Sequence, residues 1–148
     1  PVGGGCRPGA PSSCCNRIDR RGSALPLGVV GLGRMGGNIA RRLTEKGHRC
    51  VVHTRDAATV DKFVAEGMTG AGSLEDLVAR LEQPRVVWLM LPAGKVTEDS
   101  VAALRPLLAA DDIIIDGGNS FYKDDIRRAA ALKADGIHYI AVGTSGGV

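Results

Sequence analysis

Six residues, Gly31-Leu32-Gly33-Arg34-Met35-Gly36, spell a G-x-G-x-x-G turn between an apolar run and an amphipathic stretch. Glycines at this spacing permit a tight turn and let bare backbone approach a pyrophosphate, and a helix that follows offers free N–H groups and a partial positive charge. After a strand and before a helix, such a turn points to dinucleotide binding; elsewhere it is merely structural. Further on, His53-Thr54-Arg55-Asp56 stands where a second strand should end, the position that selects the dinucleotide. An acid there accepts from the adenosine ribose 2′-hydroxyl and repels a 2′-phosphate. Asp56 has the spacing for that role, but it follows Arg55 and immediately precedes Ala57-Ala58, so it is read as the cap of the next helix. Thr54 then offers a hydroxyl and Arg55 a planar guanidinium, suited to a phosphate through charge-assisted bonds of about 1.5–3 kcal/mol each. The expected cofactor is NADP.

Two later segments carry polar groups on glycine-rich turns. Asp116-Gly117-Gly118-Asn119-Ser120 exposes an amide and a hydroxyl, and Gly143-Thr144-Ser145-Gly146-Gly147 can present backbone N–H groups as an anion nest. On physical grounds each serves equally well as a ligand-facing turn or as a tight connection. The histidines do not cluster: His48 falls in a turn, His53 at a strand tip and His138 in a strand, and each is read as structural. Cys6, Cys14 and Cys15 precede the patterned part of the chain and Cys50 lies alone in a strand-like run, with no C-x-x-C pair. Neither a metal site nor a disulfide framework is expected, and a reducing, cytoplasmic location fits.

These residues need elements to position them. From Leu27 onward, short β-rich runs alternate with helical stretches, the pattern of βαβ units around a parallel sheet. The expected order is strand 27–30, helix 35–46, strand 49–53, helix 57–66, a short strand 69–72, helix 74–81 capped by Ser73 with Asp76 completing a capping box, strand 86–91, helix 97–108, strand 113–116, helix 122–134 and strand 137–142. Val86 to Leu91 has no polar alternation, as befits a central strand buried on both faces. The fold class is therefore α/β, a doubly wound, mostly parallel Rossmann sheet in a single domain over residues 27–148. Residues 1–26, rich in Gly, Pro and Ser, are expected to form a disordered tail.

Composition agrees with one globular domain: 148 residues, 44% hydrophobic and 24% charged, with a mean hydropathy of +0.02. The net charge of +3 comes from Arg7, Arg17, Arg20 and Arg21 in the tail, opposed there by Asp19 alone, so the body is balanced. With two Phe, two Tyr and one Trp, it lacks both the basic face and the stacking aromatics of a nucleic-acid binder. No apolar run is long enough for a membrane span. Arg20-Arg21 before an apolar stretch imitates a twin-arginine export signal, but no small-residue cleavage site follows and the stretch is needed as the first strand.

The segments GLGRMGGNIA, HTRD, LPAG and, most specifically, IIIDGGNSFYKDD over residues 113–125 together resemble the coenzyme domain of the 6-phosphogluconate dehydrogenase family, the decarboxylating enzymes of the pentose phosphate pathway. The resemblance runs from Leu27 to Val148. It implies that the glycine-rich turn holds the pyrophosphate, that Arg55 meets the NADP 2′-phosphate, and that Leu91, Pro92 and Ala93 lie near the cofactor. It further implies that Asn119 touches both nicotinamide ribose and substrate, and that Ser145, Gly146 and Gly147 hold 6-phosphogluconate. Pro92 stands where the family often has Lys, and the GTSGGV segment looks like the shorter bacterial branch, some of whose members use NAD. The family carries its general base Lys and general acid Glu, with the sugar-phosphate pocket, after the Ser-Gly-Gly segment and in a large helical domain, so no catalytic residue is expected within this chain. The full-length protein is expected to be a homo-oligomer. The 3-hydroxyisobutyrate type of dehydrogenase shares the GLGxMG turn but usually reads Asp-x-Ser-Thr where this chain has Asp-Gly-Gly-Asn-Ser. A catalytically silent nucleotide-binding module is the alternative from another class.

Overall fold

A computed structural model of the chain describes residues 25–144. The elements are β1 (Pro26–Val30), α1 (Arg34–Glu45), β2 (Arg49–His53), α2 (Ala57–Ala65), β3 (Thr69–Gly70), α3 (Leu74–Ala79), β4 (Val86–Leu89), α4 (Lys95–Leu104), β5 (Ile113–Asp116), α5 (Tyr122–Lys133) and β6 (His138–Ala141). All strands are parallel in the order β3-β2-β1-β4-β5-β6. This is the doubly wound order in which the winding reverses between β1 and β4, leaving a crevice at their carboxyl ends.

Strand alternation explains why both faces are covered. Val87 and Leu89 of β4 join Leu77, Leu104, Ile114 and Leu132 in one core, while Val86 belongs with Val29, Val52 and Phe63 in the other, where Trp88 packs partly buried. Full burial of one such Leu, Ile or Phe side chain contributes about 1.5–3 kcal/mol.

The expected order of elements holds, with several bounds corrected. β1 begins at Pro26, paired with Arg49; proline is tolerated as the first residue of a strand, where its missing N–H is not needed. β4 stops at Leu89 rather than Leu91: its register with both neighbours ends there, at Val30 and Asp116, and the Met90 N–H makes one last bond to the Val30 carbonyl at 2.8 Å before the neighbours turn away at Gly31 and Gly117. The fourth helix starts at Lys95, after Gly94 with φ 94°, and ends at Leu104, since Pro106 cannot supply the next N–H. β3 shrinks to two residues, α3 closes at Ala79, and β6 spans His138–Ala141. Ser73 does accept from the Asp76 N–H at 3.1 Å, but the Asp76 carboxylate takes the Gly72 N–H, also at 3.1 Å, so the reciprocal half of the box closes one residue upstream. The tail over residues 1–24 and the candidate substrate residues Ser145, Gly146 and Gly147 lie outside the described residues.

Candidate functional site

The first βα turn is built by contacts no side chain could share. Gly31 has φ 94°, and a Cβ there would lie 2.3 Å from the Met90 carbonyl oxygen. Gly36 sits so close beneath the turn that a Cβ would meet the Gly31 carbonyl oxygen at 2.0 Å. Gly33, by contrast, faces open space, with nothing within 4 Å of a Cβ placed on it. Gly33 is also the N-cap of α1 and makes no side-chain cap bond, and the first turn carries no acid. The helix thus begins with unclaimed N–H groups, a positive dipole end and room for a ligand against the backbone, the requirements of a diphosphate.

A cleft of about 740 Å³ opens at this turn. It is walled by Gly31 to Gly36, by Thr54 and Arg55 at the tip of β2, and by Leu91 and Pro92 beyond β4. Arg55 is exposed and has no ion-pair partner among the described residues. Asp56 caps α2, accepting from the Ala58 N–H at 3.3 Å and the Thr59 hydroxyl at 2.5 Å. The Thr59 hydroxyl, aided by the backbone N–H groups, holds the Asp56 carboxyl below the usual carboxylate range. The acid at the strand tip is therefore engaged with its own helix, and the Arg55 guanidinium beside it is exposed at the cleft.

A second, smaller cleft of about 280 Å³ continues along the carboxyl edge of the sheet. It shares Met35, Met90, Leu91 and Pro92 with the first and adds Ala93, Gly117, Gly118, Asn119 and Thr144. The sequence-predicted cofactor residues thus line two connected hollows running from Arg55 to Asn119. Pro92 is exposed at their shared rim, and its carbonyl oxygen accepts from the buried Thr97 hydroxyl at 2.9 Å, which ties the loop to the start of α4. Thr144 donates to the Gly117 carbonyl at 2.6 Å, so the segment leading into Ser145 is tied to the Asn119 turn.

Several residues that sequence reasoning did not single out lie at the same place. Leu74, Val96, Asp99 and Ser100 also line the larger cleft. Beneath the Asn119 turn, Asp116 is 1% exposed and gathers Gly118, Ser120 and Tyr139 around its carboxylate. Arg128 is buried nearby and bonds Glu98 at 2.9 Å and Asp125 at 3.3 Å. Arg127 and Arg128 hold the Glu98 carboxyl below its ordinary range. Burial, with the Asp116 carboxylate beside it, raises the Tyr139 phenol above its ordinary value and keeps it protonated as a donor. The one local signal was an arginine placed four residues before Leu132 on the inward face of α5.

Of the remaining candidates, His53 borders the larger cleft beside Thr54, and the others lie outside both hollows. His48 Nδ1 accepts from the Leu25 N–H at 3.3 Å, His53 Nδ1 lies 2.9 Å from the Ala71 carbonyl, and His138 lies 3.5 Å from Asp111. Lys95 pairs with Asp99 at 2.8 Å, Lys123 is exposed over the Phe121 ring, and Lys133 is exposed. Among the described residues, no group of three or more His, Cys, Asp or Glu is placed to hold a metal, and no helix is long and apolar enough to cross a membrane.

Comparison with known proteins matches the sequence profile described as the NAD binding domain of 6-phosphogluconate dehydrogenase over residues 26–148. A decarboxylating 6-phosphogluconate dehydrogenase of Haemophilus ducreyi is 46% identical over 126 residues, covering 82% of this chain and 26% of that protein. Two Bacillus subtilis relatives, one described as NAD+-dependent and one as NADP+-dependent, are 44% and 41% identical, covering 82% and 84% of this chain and 27% and 28% of theirs. The solved Plasmodium falciparum 6-phosphogluconate dehydrogenase, studied with NADP+ and with 6-phosphogluconate, superposes with a TM-score of 0.76 at 30% identity, over 82% of this chain and 27% of that one. A 3-hydroxyisobutyrate dehydrogenase of Mycobacterium tuberculosis reaches the same TM-score at 22% identity, over 84% and 42%, a likeness of fold alone. The chain spans about a quarter of the length of these curated phosphogluconate relatives.

Proposed function

The chain belongs to the NAD-binding domain family of 6-phosphogluconate dehydrogenase, and from that premise we propose that it is the NADP-binding half of an enzyme that oxidises and decarboxylates 6-phosphogluconate. The observation that carries this is the pair of adjoining hollows, sharing Met35, Met90, Leu91 and Pro92, that run from Arg55 past the open face of Gly33 to Asn119. In this reading the N–H groups at the start of α1, over Arg34 to Gly36, take the diphosphate, and Thr54 and Arg55 take the 2′-phosphate. Leu91, Pro92 and Ala93 form the apolar wall between the two ends, and Asn119 takes the nicotinamide ribose and the substrate, with Ser145, Gly146 and Gly147 on the substrate side. When bound, the nicotinamide supplies the hydride acceptor for the C3 hydroxyl of the sugar acid, whose β-keto product loses CO₂ to give ribulose 5-phosphate.

The chain's own contribution is to bind and orient. Turnover also needs a base on the C3 hydroxyl and an acid on the enediol, each typically worth about 10²- to 10⁴-fold, and a pocket that fixes the sugar phosphate. The lysines of the ligand-bearing half, Lys95, Lys123 and Lys133, are exposed helix residues. In this reading residues 26–148 act with a separate helical substrate domain, in a cytoplasmic homo-oligomer. The hydroxyisobutyrate alternative has less behind it, since relatives above 40% identity are phosphogluconate enzymes while the resemblance to the hydroxyisobutyrate enzyme stands at 22%.

Two arms of an absorbance assay for NADPH formation test this. The 148-residue chain alone should bind NADPH yet give no turnover on 6-phosphogluconate. Grafted in place of the coenzyme domain of the Haemophilus ducreyi relative, residues 26–148 should support oxidation of the sugar acid with NADP+. A soluble chimera that binds NADPH and stays inactive would contradict the proposal, as would turnover by the chain alone.

A further inference from the structure

Asp116 ends β5 where the chain turns into Gly117-Gly118-Asn119-Ser120, and it is 1% exposed. Its Oδ1 accepts from the Gly118 N–H at 2.9 Å, and its Oδ2 accepts from the Ser120 hydroxyl at 2.8 Å and the Tyr139 hydroxyl at 2.7 Å. One carboxylate thus ties the residues on both sides of Asn119, which is itself exposed at the second cleft. Tyr139 comes from β6, and Arg128 of α5 brings its guanidinium to 3.7 Å from Oδ2, so the two elements that follow the turn brace it from below. From the other side Thr144 holds the Gly117 carbonyl. Burying a carboxylate is costly, and an apolar side chain of similar volume would often serve stability as well or better. The arrangement makes sense as control over where the turn points.

We propose that Asp116, braced by Tyr139 and Arg128, is the positioning residue that holds the Gly117–Ser120 turn so that Asn119 meets the nicotinamide end of the dinucleotide. This rests on the proposed placement of that end at Asn119. A positioning residue acts through Asn119 and on one half of the ligand only, which separates its role from general support of the fold.

The test is calorimetric titration of the chain with NADPH and with 2′-phospho-ADP, which has the same adenosine, 2′-phosphate and diphosphate groups but neither the nicotinamide nor its ribose. Wild type, Asp116→Asn, Asn119→Ala and the double variant are compared. Asp116→Asn should weaken NADPH by about fivefold or more, leave the fragment unchanged, and add nothing on the Asn119→Ala background. Should Asp116→Asn fail to fold, Tyr139→Phe keeps the ring, removes one donor to the carboxylate, and should shift NADPH affinity alone in the same direction. Equal losses for both ligands, unchanged NADPH affinity in the folded variant, or full additivity with Asn119→Ala would overturn the proposal. A wild type that binds neither ligand would instead overturn the dinucleotide assignment beneath it.

Discussion

Gly33 and Gly36 lie in the same turn, yet the structure gives them opposite sensitivities. A Cβ at Gly36 meets the Gly31 carbonyl oxygen at 2.0 Å, whereas at Gly33 it meets nothing, and Gly33 has φ −64° and ψ −172°, which any residue adopts. Gly33→Ala should therefore keep the wild-type melting temperature to within about 1–2 °C while weakening dinucleotide binding by about tenfold, some 1.4 kcal/mol. Gly36→Ala should lower the melting temperature outright. Thermal melts with and without NADPH distinguish the two; a Gly33→Ala domain that binds as wild type would place the pyrophosphate elsewhere. This part of the site was legible in the sequence because the turn is local, its three glycines being read from spacing alone. The Asp116 support was not legible, because its partners Tyr139 and Arg128 lie far along the chain and converge only once α5 and β6 are packed.

Elements were legible where one local signal dominated and less so where a neighbour decided the outcome. Asp56 before Ala57 caps α2 as its position suggests. The apolar run from Val86 reads as a strand through Leu91, but sheet neighbours end it at Leu89 and release Met90 to Pro92 as the wall shared by both hollows. Contacts between elements also set a pH dependence. Glu98 of α4 bonds Arg127 at 3.0 Å and Arg128 at 2.9 Å of α5, and those cations hold its carboxyl below 4.5. The folded state thus binds that proton less readily than the unfolded state. Its stabilisation is present above about pH 4.5 and is lost as pH falls through the lower folded value. In urea titrations, Glu98→Gln should be less stable than wild type at pH 7, and the gap should narrow by pH 4. A gap that stays constant across that range would mean the pairing contributes through packing and not through charge.

At the scale of the whole molecule, the alternation of strands and helices announces a parallel α/β sheet, but the strand order follows from contacts between distant segments. One such contact sits at the edge of the sheet opposite the site. Asp112, fully buried, accepts from the Arg85 N–H at 2.7 Å, the Arg85 guanidinium at 3.2 Å and the Ala109 N–H at 2.9 Å, joining the entry of β4 to that of β5. Asp112→Ala leaves those donors without their acceptor and should cost about 3 kcal/mol, read as a fall of roughly 10 °C in melting temperature. NADPH affinity at the far edge should be unchanged in the variant that remains folded, as measured by titration below its melting range. A loss of affinity would show that the two edges are coupled.

Whether a dinucleotide lies along the carboxyl edge with its 2′-phosphate on Thr54 and Arg55 is decided by calorimetric titration of NADP+ and NAD+ against the chain and Arg55→Ala. Arg55 is exposed at the surface of the cleft, so its removal should not disturb folding. A charge-assisted phosphate contact is worth about 1.5–3 kcal/mol, so NADP+ should bind at least tenfold more tightly than NAD+. Arg55→Ala should bring NADP+ down to about the NAD+ level and leave NAD+ itself unchanged. Equal binding of the two dinucleotides by wild type, or NADP+ affinity that survives the substitution, would contradict the account.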